Sequence, residues 1–320
     1  MGLTSFPNGI ETPFVTGAML GGSTGKVFFV NGGTVPAPLG VVGHDGAVDG
    51  TVLRPFKTIQ KAIDMCVSGR GDTIVVTPGA IYDENLVVLK SNLTLRSSIP
   101  TRRVIVQPTL GYCIDVGKPK FSCYGFSFFA LEANQYIAAA VQRGEEFIYS
   151  YCDFGGNGGG PGMVLYPAIA TLPVNGDDYN TASNGIISNC WFRDCGSLGS
   201  QALIFMFNHT TGLAVTDVIV EKCVFYRNGQ IDIGSYSDDG SHGPAAVQAQ
   251  DCTIRDCQFL DADKVTYIDL SQGGQNRGII SNCYFANKTA PLAGTQLKLL
   301  NKFVATSIYD ANGLVNTHTF

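Results

Sequence analysis

Two groups of ionisable side chains have the composition that acid–base chemistry on a sugar requires. Asp232, Asp238, Asp239 and His242 fall in the stretch IDIGSYSDDGSHG, and Arg143, Glu145, Glu146 and Asp153 fall close together earlier in the chain. Glycosidic cleavage by hydrolysis or elimination needs carboxylates, often with Arg, Lys or His, gathered on one exposed face, because proton transfer and charge stabilisation act together. Asp, Ser and Gly are also the default turn formers, so the same residues describe a solvated loop equally well. Sequence proximity supplies no geometry, and the expectation is that no residue is catalytic, cofactor-binding or metal-ligating.

Other chemical signals weaken on inspection. The pairs Cys190/Cys195 and Cys252/Cys257 share a spacing of five that suggests a metal site, but no histidine lies near enough in sequence to complete a Cys/His knuckle. LGGSTGKV (20–27) ends like a phosphate loop, yet Leu20 stands where the first glycine is needed and Val27 where Ser or Thr must follow the lysine. Asn92, Asn208 and Asn287 each open an Asn-x-Thr triplet, which without a secretory signal describes a turn.

The cysteines have a better explanation in the elements that carry them. One phrase recurs five times: YSYCDF (149–154), ISNCWF (187–192), VEKCVF (220–225), IRDCQF (254–259) and ISNCYF (280–285). Recurrence at roughly 26–38 residues is the signature of a solenoid. Cysteine and phenylalanine two apart point to the same side of a strand, so each phrase reads as one short strand with an inward Cys/Phe face. Stacked copies would line an interior with ladders of like residues, the cysteines acting as small reduced hydrophobes. The irregular period argues for strand coils, which absorb insertions such as FGGNGGGPG (154–162) and VNGDDYNTASNG (174–185) in their turns. An antiparallel sandwich is the alternative.

The N-terminal third adds an independent signal. Phe56, Ile59, Ile63, Cys66 and Val67 fall on one helical face, with Pro55 where a first turn tolerates it, so a capping helix is expected at about 55–67. Short β-rich runs follow, DTIVVTPGAIY and NLVVLKSNLTLRS. A solenoid needs such a cap because its first coil otherwise exposes apolar surface and unpaired strand edges.

PFKTIQKAID followed by GDTIVVTPGAIYDE resembles the opening of the pectin-lyase-like right-handed β-helix superfamily, and the later phrases resemble its I-x-N-C-x-F coils. The resemblance implies an all-β, right-handed parallel β-helix. That superfamily spans polysaccharide lyases and hydrolases, adhesins and phage tailspikes, so fold does not select an activity. The opening MGLTSFPNGI is similar to the start of tailed-phage virion proteins.

Composition fits one elongated domain. Charged residues are 15%, hydrophobic residues 45%, and the formal net charge is −5 with no block of like charges, which argues against a nucleic-acid-binding face. There is no unbroken apolar run for a membrane helix and no signal peptide in Met1–Ile10, so folding in a host bacterial cytoplasm is expected. The sequence divides into an extended attachment arm (1–25), a β-helix (26–295) and a C-terminal cap or contact segment (296–320). The arm carries Leu3, Phe6, Ile10, Phe14, Val15, Met19 and Leu20 without helical or strand period, and such side chains want another surface.

Two function classes follow. The first is a non-enzymatic virion protein, homotrimeric, fixed through its arm to a major capsid or tail protein, with capsid decoration preferred. The second is a tailspike-like protein that binds or depolymerises host surface polysaccharide. The apolar arm, the lack of a convincing catalytic cluster and a chain short for a complete tailspike favour the first.

Overall fold

The computed structural model describes residues 25–33, 41–46, 49–131, 138–156, 161–165, 182–195, 201–207, 215–229, 231–237, 251–261, 267–269, 278–286, 292–293, 301–304, 306–309 and 315–318. Apart from Gly25, the expected arm lies outside them, as do Asp238, Asp239 and His242.

The chain winds through three long sheets, one short strand per sheet per coil. Sheet 1 runs from Val27–Val30 to Asn301–Val304 through ten strands, sheet 2 from Ile81–Tyr82 to Val315–His318 through ten, and sheet 3 from Leu86–Val88 to Leu292–Ala293 through eight. Among the described residues every strand pairing is parallel except the last, where Val315–His318 runs antiparallel to Thr306–Tyr309. The C-terminal segment thus continues sheets 1 and 2 by a strand each and then turns back along the free edge, and covering an edge is how sheet proteins avoid unwanted pairing. No described helix is long and apolar enough to cross a membrane.

The recurring phrase is not one strand but two. Ile186–Ser188 belongs to sheet 1, Asn189 adopts φ 53°, Cys190 follows, and Trp191–Arg193 belongs to sheet 2. The same corner recurs at Tyr151 (φ 56°), Lys222 (53°), Asp256 (55°) and Asn282 (52°). A single left-handed residue turns the chain between sheets, and Asn and Asp tolerate that conformation better than most residues. The ladder continues around the corner: the N–H of Asn189 donates to Glu221 O at 3.0 Å and that of Lys222 to Arg255 O at 3.1 Å. The corner resets the alternation, the buried positions running Ile187, Cys190, Phe192 and Val220, Cys223, Phe225, and because cysteine and phenylalanine both follow the turn they still point inward together.

All ten cysteines are free and buried. In each corner the thiol sits against two carbonyls, one on its own coil and one on the coil before: Cys190 Sγ lies 3.2 Å from Ser188 O and 3.6 Å from Tyr149 O, and Cys223 Sγ 3.3 Å from Glu221 O and 3.5 Å from Ile187 O. A small apolar group with a weak donor fits this position, where a methyl could not donate and a charge could not be solvated. Burial raises the Cys190 and Cys223 thiols well above their ordinary range, which keeps them protonated.

The phenylalanines stack along the interior of sheet 2. Ring centroids of Phe154, Phe192, Phe225, Phe259 and Phe285 are separated in turn by 5.0, 4.9, 4.8 and 4.8 Å, close to the strand spacing itself. Each buried ring contributes about 1.5–3 kcal/mol by removal from water, and a favourable ring pair about 0.5–1.5 kcal/mol more.

The helix closes the N-terminal end but is shorter than expected, Ile59–Met65. Thr58 is the N-cap, and Pro55 and Phe56 lie ahead of the helix alongside Val27–Val30. Phe29 N donates to Gly50 O at 2.7 Å and Phe56 N to Phe29 O at 2.9 Å, so segment 50–56 covers the outer edge of sheet 1. Ile59, Ala62 and Ile63 are buried against the first coils, while Val67, expected on the same face, is 51% exposed.

Candidate functional site

The described members of the two sequence groups do not converge. Asp232 is fully buried at the start of the sheet 3 strand Ile231–Ser237, where its Oδ1 accepts from Asn228 Nδ2, in the turn that leads in from sheet 2, at 2.8 Å. Asn228 in turn accepts from Cys195 N at 3.1 Å and donates to Phe192 O at 3.0 Å, so Asp232 helps fix a turn that substrate cannot reach. The other group is divided among three places. Arg143 pairs with Asp115 beside sheet 3 (3.0 and 3.3 Å), Glu146 meets Lys120 at 3.7 Å on the exposed corner entering sheet 1, and Asp153 lies on sheet 2. Among the described residues, no group of three or more His, Cys, Asp and Glu is placed to hold a metal ion.

The outer face of sheet 3 places Val87, Asp115, Val141, Val164, Ile204, Gly234 and Asp269 in register. Asp115 and Asp269 are five strand steps apart, about 24 Å at ~4.8 Å per step, far beyond the ~5–9.5 Å that joins two carboxylates in glycoside hydrolysis. Between them Val141 and Val164, with Ala138 and Ile204, form a small apolar cluster.

The outer face of sheet 2 is different. One register column holds Ser127, Asp153, Trp191 and Val224, and the next holds Phe129, Gly155, Arg193 and Tyr226. Asp153 is an outward residue yet its side chain is only 1% exposed, because Arg193 and Arg103 close over it. Arg193 donates Nε to Oδ1 at 3.1 Å and Nη2 to Oδ2 at 2.6 Å, the two-pronged geometry that suits guanidinium and carboxylate. Arg103 reaches across two coils, donating Nη1 to Asp153 Oδ2 at 3.4 Å and Nε to Tyr151 O at 3.1 Å. It passes the third coil where Gly125 and Ser127 offer little side chain.

Gly155 makes room for the rest. A Cβ there would lie 2.5 Å from Arg193 O and 3.0 Å from the Phe129 ring, so the ring lies over the glycine. The Arg193 guanidinium carbon then sits 5.3 Å from that ring's centroid. Burial pushes the Asp153 carboxyl up, with Arg193 and Arg103 opposing in part. Both its oxygens are occupied, so it serves as an anchor for two guanidinium groups rather than as a proton carrier. Around this anchor three rings remain open to water, Tyr151 at 59%, Trp191 at 41% and Tyr226 at 39%.

A third charged centre, missed in the sequence, holds the N-terminal cap. Asp72, 1% exposed, accepts from Lys26 N (2.7 Å), Val67 N (2.8 Å), Arg70 Nε (2.6 Å) and Arg70 Nη2 (2.7 Å). Asp45 accepts from Lys57 N (2.8 Å) and Thr58 Oγ1 (2.8 Å), and Glu84 from Ile59 N (3.0 Å) and Gln60 N (2.9 Å). These satisfy the orphan donors at the helix start. A helical cap ahead of a strand announces that such partners must exist, but nothing in the sequence says which carboxylates fold back to supply them.

No family model matches the chain, and no curated protein matches it in sequence. Its structure is similar to the pectin methylesterase of Aspergillus niger (14% identical, 92% of this chain and 87% of that one, TM-score 0.50) and to pectin methylesterase from carrot (11%, 91% and 85%, TM-score 0.51). A rhamnogalacturonan lyase is similar too (14%, 82% and 69%, TM-score 0.52). The chain has the pectin-lyase-like fold, a right-handed parallel β-helix, and at these identities the likeness is one of fold.

Proposed function

We propose that this chain is a non-enzymatic structural protein of a bacteriophage virion, a capsid decoration or minor capsid protein held to a major capsid or tail protein through residues 1–25 and assembled as a homotrimer. The observation that carries this reading is the use made of five carboxylates that the two sequence groups and their surroundings bring forward. Asp72, Asp153 and Asp232 are buried in hydrogen-bonded structural roles, and Asp115 and Glu146 are ion-paired. None of these five forms a solvent-facing pair at catalytic separation. The sequence of the arm adds support, since Phe6, Ile10 and Phe14 are each worth about 1.5–3 kcal/mol if removed from water against another protein. The opening MGLTSFPNGI, similar to the start of tailed-phage virion proteins, points the same way.

The test is deletion of residues 2–20. The expected product is soluble, retains its β-sheet circular dichroism and fails to join the particle or to associate with itself. Normal incorporation of the truncated protein overturns the arm as anchor. Cleavage of capsule or pectin by the intact protein, lost in Asp238→Asn and Asp239→Asn, overturns the non-enzymatic role. A second reading, binding of host surface polysaccharide, is favoured by one feature, the open aromatic and guanidinium face of sheet 2.

A further inference from the structure

The N-terminal cap is apolar on its outside as well as its inside. Ile59, Ala62 and Ile63 seal the interior, while Val27, Val42, Val52, Leu53, Met65 and Val67 remain between 38% and 73% exposed. Hydrogen bonds gather these six around the first strand, Val27–Val30. Val52 and Leu53 are the tip of a turn closed by Arg54 N and Thr51 O at 3.1 Å, and that turn follows Gly50, which pairs with Phe29. Val42 precedes Gly43, whose N–H donates to Asn31 O at 2.9 Å. Val67 N and Lys26 N occupy the two oxygens of Asp72, and Met65 lies two residues back. The terminal repeat of a solenoid ordinarily turns a polar face outward, because nothing stacks on it. This one exposes on the order of 500 Å² in six apolar residues, within the range of the largest patch on a monomer and over half the ~800 Å² per partner of a stable interface.

We propose that the outer surface of the cap is a docking face, and that its occupant is an apolar surface of the same capsid or tail protein that takes residues 1–25. The inference rests on the attachment reading and extends it from the arm to the body of the coil. Three arguments choose this occupant. First, the segment that carries Phe6, Ile10 and Phe14 joins the coil at Gly25 and Lys26, inside the patch, so a protein that holds the segment is brought against the cap. Second, the junction is locked. Asp72 ties Lys26 N to Val67 N and to both prongs of Arg70, and a Cβ on Gly25 would overlap Gly71 O, so the root of the arm and the end of the helix keep one orientation. Third, the three-fold axis of a homotrimer places three caps at one level, which raises the apolar footprint to about 1,500 Å². Two copies joined cap to cap would need a two-fold axis, which a cyclic trimer does not contain.

Competition for particles assembled without this protein tests the proposal. Full-length wild type and the double variant Leu53→Ser/Val67→Ser, whose fold is checked by circular dichroism, are offered together, and bound copies are counted by mass spectrometry. Fewer than about one variant copy should bind for every ten of wild type. Hydrogen exchange of the unsubstituted protein reads the same face without any variant. Amides of residues 51–54 and 65–68 should exchange at least about tenfold more slowly on the particle than free in solution, and those of Trp191–Arg193 should not change. Equal incorporation of the double variant, or unchanged exchange at the cap, overturns the proposal and leaves the arm as anchor. Normal incorporation of the 2–20 deletion, with loss of incorporation in the double variant, overturns the arm as anchor and supports the cap. A smaller oligomer of the double variant in the absence of particles, by light scattering, assigns the cap to contact between copies and overturns the proposal as well.

Discussion

Replacing Asp72 by Asn should unlock the N-terminal cap at a cost that can be worked from its partners. The carboxylate gathers four donors from three places: Lys26 just ahead of the first strand, Val67 just after the helix, and both prongs of Arg70. Asn keeps the volume but brings an NH₂ group toward donors, so only one oxygen remains to accept. Breaking a buried ion pair costs about 3–5 kcal/mol, and each buried donor left without an acceptor about 1–3 kcal/mol. Arg70 keeps 24% of its side chain in water and can recover part of its solvation, which places the expected loss near the lower end, about 3 kcal/mol at pH 7. Acid should narrow the difference. Burial pushes the Asp72 carboxyl up, but the Arg70 hydrogen bonds and the Val67 and Lys26 N–H groups outweigh it and hold the group below its ordinary value. A carboxyl lowered in the folded state stabilises above its unfolded pKa of about 3.9 and loses that contribution as pH falls through the folded value. Urea unfolding of both proteins at pH 7 and at about pH 3, followed by circular dichroism, gives the comparison. A loss below about 1 kcal/mol at pH 7, or a difference that widens in acid, refutes the reasoning.

Two further outcomes are expected. Cys223→Asp should be severely destabilising, by more than about 4 kcal/mol, because it introduces an ionisable group into a dry corner between two carbonyls, and non-reducing mass spectrometry should find the wild-type thiols unbridged; expression of a native-like variant, or several of these thiols in disulfides, contradicts the ladder. Tyr151→Asn should raise the midpoint of thermal unfolding, since Asn relieves a left-handed strain of about 1–2 kcal/mol; a lower midpoint would show that the tyrosine ring holds the corner in place.

Much of the fold was legible because it repeats. Five copies of one phrase fixed the solenoid class, and the two-residue offset from cysteine to phenylalanine determined that both face inward, since that alternation depends on local backbone geometry alone. The helix was visible from its apolar spacing, although Pro55 and Phe56 proved to be edge cover rather than first turn. The corner inside the phrase was not visible as a change of sheet. Asn at the third position of ISNCWF and ISNCYF hinted at a left-handed residue, but Tyr151 and Lys222 in the same place obscured the hint, because the coil-to-coil hydrogen bonds impose the conformation whatever the side chain.

Charge was where sequence failed most, for a reason of range. Arg143, Glu145, Glu146 and Asp153 are neighbours in sequence, yet one coil carries them past three sheets, so the three that pair meet Asp115, Lys120 and two arginines drawn from other coils. Arg103 and Asp153 are fifty residues apart and become partners only because the coils stack in register. Asp232 reads as a member of an exposed loop and is instead buried at the start of a sheet 3 strand. The sequence by itself determined which residues face the interior, because inward and outward alternate along any strand. Which outward residues meet one another was decided by the tertiary structure, because the pitch of the coil, and not distance along the chain, sets who lies beside whom.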